Sequence, residues 1–185
     1  MIVTILLTIV IVLCSYCYHQ AQYAEAIDLQ MANSTISGLI QQGDALLNES
    51  RYADAISSYD QALKINPKSA DALNGKGLTL NELGRYQEAN VLFDKALMLE
   101  PQSVSALNNK GITLVNLGKY EEAITWFDKA IDIDPNFIDA LYNKGGALGE
   151  LGRYGEAAMW TDKALAIDSA NKNTSNSSNV LLPNE

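Results

Sequence analysis

The chain has 185 residues, 48% of them hydrophobic, which suits a packed domain with an appendage rather than a disordered polymer. Its 13 Lys+Arg face 22 Asp+Glu, a formal charge of −9, so it lacks the basic surface that nucleic acid requires. Two cysteines, Cys14 and Cys17, and one histidine, His19, leave no disulfide framework for the body and no multi-histidine metal site.

Residues 2–18 read IVTILLTIVIVLCSYCY and carry no charge. As a helix they would reach about 25 Å, just short of a hydrocarbon core of about 30 Å. Tyr16 and Tyr18 suit a headgroup boundary. The segment reads as an N-terminal transmembrane anchor over residues 1–18. The alternative is a secretory signal with Ala24-Glu25-Ala26 as its cleavage site, which leaves a secreted body. No basic residue precedes the apolar run, and none follows until Arg51, while Glu25 and Asp28 come first. The amino terminus then favours the inside, and the expected location is a single-pass membrane protein with its body outside the cytoplasm. Four Asn-x-Ser/Thr triplets, at Asn33, Asn48, Asn173 and Asn176, are compatible with that side. Cys14, Cys17 and His19 could bind a metal in principle, but their place at the end of an apolar run reads as anchor packing, and no metal or other cofactor is expected. Residues 19–35 read as a linking or capping helix.

From residue 36 the chain repeats. Gly43, Gly77, Gly111 and Gly145 stand 34 apart, as do Tyr52, Tyr86, Tyr120 and Tyr154. Ala55, Ala89, Ala123 and Ala157 keep the interval, as do Ala62, Ala96, Ala130 and Ala164. Gly84, Gly118 and Gly152 share a column with Ser50, and Pro67, Pro101 and Pro135 share one with Ser169. Each unit holds two apolar-periodic segments, such as 105–116 and 120–133, separated by a glycine that can end a helix in left-handed backbone. Gly111 and Ala123 lack the bulk that would keep two helices apart. The aromatics Tyr59, Phe93 and Phe127 fill the gap to the next unit, and the prolines stop the second helix. One such pair cannot bury its apolar face alone, so the units must stack.

These columns resemble the tetratricopeptide repeat, and the resemblance covers four units, at 36–69, 70–103, 104–137 and 138–171. It implies an all-α, right-handed α-solenoid of helix-turn-helix repeats, here preceded by the apolar N-terminal helix. In the fourth unit Thr161 replaces the aromatic and Ser169 the proline. The extra terminal helix usual in the family does not follow, so the face carrying Met159 and Trp160 would be uncovered or covered by something else. The polar stretch 172–185 reads as a disordered tail.

The resemblance also implies where a partner would sit. First helices in this family line a concave groove, which by position would hold Asn74, Asn81, Asn108, Asn109, Ile112, Val115, Asn116, Tyr142 and Asn143, with Gln41 and Asn48 beside them. Carboxamides donate and accept, which suits an extended peptide backbone. Alternatively some of them bond to one another between helices. Lys76, Lys110 and Lys144 read as stems packed along a helix with solvated heads. The basic positions with which some members hold chaperone tails are Ile40, Asn74, Ser105 and Asp139 here, so that clamp is not expected. Acids that recur in every unit, such as Asp60, Asp94, Asp128 and Asp162, form a surface pattern rather than a catalytic pair, and no catalytic residue is expected. The expected function is therefore a non-catalytic, membrane-tethered interaction scaffold for a protein or peptide, with no nucleic-acid partner. The alternative is a structural subunit that self-associates or docks through the C-terminal helix face 152–168.

Overall fold

The computed structural model describes the backbone of residues 2–178, and the side chains of residues 18–172 other than Ala24. Eight helices follow one another: α1 (Ile2–Asn48), α2 (Tyr52–Ile65), α3 (Ala70–Glu82), α4 (Tyr86–Leu99), α5 (Val104–Asn116), α6 (Tyr120–Ile133), α7 (Ile138–Glu150) and α8 (Tyr154–Ser178). No strand occurs among the described residues. Each odd-numbered helix packs on the even-numbered helix after it, and that helix packs on the next unit. Odd helices also touch one another in sequence, α1 with α3, α3 with α5 and α5 with α7. This is an α-solenoid of four helix pairs, in which the odd helices form a continuous inner wall.

The turn inside each unit is made the same way four times. After α3 the amide of Gly84 donates to the Asn81 carbonyl and that of Arg85 to the Leu80 carbonyl, both at 2.9 Å. This Schellman arrangement needs a left-handed residue, and Gly84, Gly118 and Gly152 have φ between 72° and 74°. Ser50 occupies that slot after α1 with φ 59°. A side chain there costs about 1 kcal/mol, because its Cβ crowds the following carbonyl oxygen. Ser50→Gly is expected to raise stability by about 0.5–1 kcal/mol in a denaturant melt, and Gly118→Ser to lower it by a similar amount.

Helix crossings are set by glycine and alanine. Ala55, Ala89 and Ala123, and Ala62, Ala96 and Ala130, are buried between helices. At Gly111 a Cβ would meet Phe127 Cε1 at 2.4 Å, so only glycine admits the ring there. The aromatics fill space both within and between units. Phe93 and Phe127 lie over a glycine of their own unit, Gly77 and Gly111, Tyr59 lies over Gly43 of its own unit and Gly75 of the next, and Phe127 also reaches the cleft beside Tyr142 of the next unit. The Tyr59 hydroxyl donates to Asp44 at 2.6 Å, and burial, then that bond, pushes its pKa upward.

The ends of the array differ from its middle. α2, α4 and α6 stop one residue before the cap that precedes Pro67, Pro101 and Pro135. Ser169 keeps its amide, its hydroxyl donates to the Leu165 carbonyl at 2.8 Å, and α8 runs on to Ser178. The tail expected from residue 172 falls partly on this backbone and otherwise outside the described residues. At the other end, residues 19–35 continue α1 without a break. Their described side chains are exposed apart from half-buried Ala32, and Ile36 is the first residue buried in the array. Among the described residues no helix is long and apolar enough to cross a membrane. The side chains of residues 2–17, on which the anchor and the Cys14–Cys17 pair were read, lie outside the described residues.

Candidate functional site

On the inner wall, α5 and α7 part enough to leave a cleft of about 200 Å³. Ile112 and Val115 come from α5, Tyr142, Asn143, Gly146, Ala147 and Glu150 from α7, and buried Phe127 closes the floor. The cleft exists because Gly146 stands in the slot that Leu78 and Ile112 fill in the two preceding units. The structure thus brings together Ile112, Val115, Tyr142 and Asn143 from the sequence-derived set. Its apolar floor and single carboxamide can take a side chain while bonding to a main chain. A second inner cleft of about 280 Å³ lies between the first two units and is lined by Leu47, Asn48, Ser50, Tyr52, Leu78 and Glu82.

The asparagines form a ladder between helices. The Asn109 amide donates to Asn74 at 3.1 Å, that of Asn143 to Asn108 at 2.9 Å, and that of Asn116 to Asn81 at 3.4 Å. Each pair joins successive odd helices. Asn81 and Asn108 are buried, so they are not open to a partner as a peptide-binding wall would require. Asn74, Asn109 and Asn143 are half-buried, and each has one bonding capacity committed to the ladder.

The lysine reading needs correction. The heads of Lys110 and Lys144 are not solvated. Lys110 pairs with Asp94 and Lys144 with Asp128, each across a unit boundary, and their side chains are only 7% and 10% exposed. Lys76 pairs with Asp60 in the same way at 2.6 Å. Repeated 16-residue Asp–Lys spacings, in step with the 34-residue period, were the signal that could have revealed these contacts. Asn90 also went unremarked. It takes the slot that Ile56 and Ile124 hold in neighbouring units, and its Oδ1 is buried without a hydrogen bond. Asn90→Ile is expected to raise stability by about 1 kcal/mol, read as a higher denaturant midpoint with an unchanged slope.

Of the face at the end of the array, expected to be uncovered or covered by something else, Trp160 is half-buried. Its ring turns back onto Lys144, whose Nζ lies 3.5 Å from the ring centroid. The large apolar side chains exposed on the described part of α8 are Tyr154, Met159 and Leu165. Among the described residues no group of three His, Cys, Asp or Glu could hold a metal ion.

Comparison with known proteins agrees with this architecture. Tetratricopeptide-repeat models match residues 40–97, 92–125 and 138–171, and a TPR-repeat model matches residues 111–152. No curated protein sequence matches the chain. Among solved structures, that of MamA superposes with TM-score 0.66 at 24% identity, covering 75% of this chain and 81% of that one. The Thermobaculum terrenum O-GlcNAc transferase K341M mutant gives TM-score 0.62 at 27% identity, covering 63% of this chain and 22% of the transferase. The first TPR of Spaghetti (RPAP3), bound to the HSP90 peptide SRMEEVD, gives 0.61 at 18% identity, covering 64% and 94%. With successive models spanning residues 40–171 and the helix pairing to match, the chain belongs to the tetratricopeptide repeat family.

Proposed function

We propose that this chain is a non-catalytic scaffold that holds an extended stretch of a partner protein on its inner wall. The observation that carries this reading is the cleft between α5 and α7, with Ile112, Val115 and Tyr142 around Asn143. One partner side chain enters the cleft, and its main chain bonds to the spare capacity of Asn143 and Asn109. The positions that would grip a charged chaperone tail are Ile40, Asn74, Ser105 and Asp139, so the partner segment is apolar and uncharged rather than acidic. The uncharged run 2–18 tethers the body to a membrane, and continuous α1 leads from that run into the first unit. The absence of Lys and Arg between the run and Arg51 supports a body outside the cytoplasm. Replacing Ile112, Val115 and Tyr142 together by serine is expected to abolish partner capture from native membranes. The asparagine ladder would be left intact. Capture equal to wild type would remove the inner wall as the site.

A second reading rests on Leu165. Its slot is buried in the two preceding units, at Leu97 and Ile131, yet Leu165 is 50% exposed on α8. In that version the end of the array packs against another copy or a complex subunit. Sedimentation of the full chain in detergent distinguishes the two: association that Leu165→Lys abolishes favours assembly, and a monomer at all concentrations favours the inner wall.

A further inference from the structure

The outer side of the array carries one slot whose occupant changes from unit to unit: Ser58, Leu92, Trp126 and Trp160. In the last two units the indole lies on the lysine of its own unit's first helix, with Lys110 Nζ 4.1 Å from the Trp126 centroid and Lys144 Nζ 3.5 Å from that of Trp160. Both lysines are at the same time paired with an aspartate of the preceding unit. The first unit has Gln42 in the lysine slot and Ser58 in the indole slot, so there is no cation to cover. The second unit breaks the correlation. Lys76 pairs with Asp60, yet Leu92 stands where the ring would be, and the Lys76 side chain is 24% exposed against 7% and 10% for its counterparts. In place of the ring there is an open cleft of about 570 Å³, bordered by Ile56, Asp60, Lys76, Leu80, Val91 and Leu92.

We propose that this outer cleft between α2 and α4 receives one aromatic side chain, a tryptophan by preference, presented by a partner polypeptide and stacked on the Lys76 ammonium. The chain's own third and fourth units supply the template for the occupant. Ile56, Leu80, Val91 and Leu92 give the ring an apolar side, with Arg85, Gln87 and Glu88 on the polar rim, and the partly exposed Lys76 ammonium matches its negative face, an attraction that is strongest for indole and grows as water is excluded. Leucine at position 92 leaves the space that tryptophan fills at positions 126 and 160. The site is on the even-helix side and does not depend on the inner wall being a binding surface.

The test uses the full chain in detergent with N-acetyl-L-tryptophanamide as probe and N-acetyl-L-leucinamide as control. Saturation transfer to the indole protons, with shifts of the Leu80 and Val91 methyl signals, is the expected result, and the leucine analogue produces neither. Leu92→Trp places the ring from within, so it should melt at or above the wild-type temperature and lose the probe signal. Lys76→Met keeps an unbranched side chain beside Leu80 and should weaken the signal by removing the ammonium, a check that holds even if Leu92→Trp fails to fold. Absence of saturation in the wild type, an equal signal from the leucine analogue, or an unchanged signal in either variant would overturn the proposal.

Discussion

Phe127→Ala is expected to cost about 3–5 kcal/mol, the range for deleting a fully buried aromatic ring. Phe127 has no exposed surface, and its ring edge lies on the backbone of Gly111, which the loss of the ring would leave facing a void. The surrounding helices cannot easily collapse onto that void, because their separation is set by Ala123 and Ala130, which are also fully buried. Phe127 belongs to a contiguous cluster that runs from Leu73 and Leu97 through Leu107, Leu114 and Leu141 to Ala164, and so joins the last three units. Tyr59 and Ala55 belong to a separate cluster with Leu46. In a linear array, stability is a sum of unit and neighbour terms, so the loss should be local in a particular way. Amide exchange should accelerate in α5, α6 and α7 while the ladder of α2 keeps most of its protection. A denaturant midpoint equal to wild type, or uniform loss of protection along the whole array, would contradict this packing.

Asp94→Ala is the second large effect, expected at about 2 kcal/mol. Removing one partner of a buried pair leaves the other charge in a poorly solvated place. The two ends of this pair are not equivalent. The Lys110 side chain is 7% exposed and lies under Trp126, whereas the Asp94 side chain is 48% exposed. Losing the aspartate therefore strands a buried ammonium, while losing the lysine leaves a carboxylate that water can reach. The expected order is Asp94→Ala clearly worse than Lys110→Met. The double variant should return to within about 1 kcal/mol of wild type, because a methionine stem fills the space under the indole. The same change at Asp60 should cost less, since Lys76 is partly open to solvent. Equal damage from both single variants, or no recovery in the double variant, would show that the pair contributes through its geometry and not through burial of the lysine.

Much of the architecture was legible because sterics fix it residue by residue. A glycine at Gly111 and an aromatic at Phe127 recur together since one is the floor for the other, and Gly118 recurs because a left-handed turn is needed after every first helix. Pro101 and Pro135 end helices wherever another unit must begin, and Ser169, lacking that effect, lets α8 continue. The inner site was legible only as a face. Asn108 and Asn109 are neighbours on one helix, yet Asn108 is buried and bonded to α7 while Asn109 is half-buried and bonded to α3. Which of two adjacent residues is covered depends on the angle between successive odd helices, and the periodicity of a single helix does not contain that angle. The Asp94–Lys110 pair differs: the 16-residue Asp–Lys spacing carried a signal, although the meeting across a unit boundary is itself a product of stacking. Trp160 reads in the sequence as one residue of an apolar face, and only the placed lysines show that it and Trp126 each cover a cation.

The central claim is that the stacked odd helices present a face that holds another polypeptide. The most direct measurement is photo-crosslinking of the full chain in its native cells, with a benzophenone amino acid at Ile112 or Tyr142 on the inner wall and at exposed Asp132 on α6 as the control. The account predicts one and the same crosslinked protein from both inner positions and none from Asp132. Crosslinks of equal yield from all three positions, or from Asp132 alone, would contradict it.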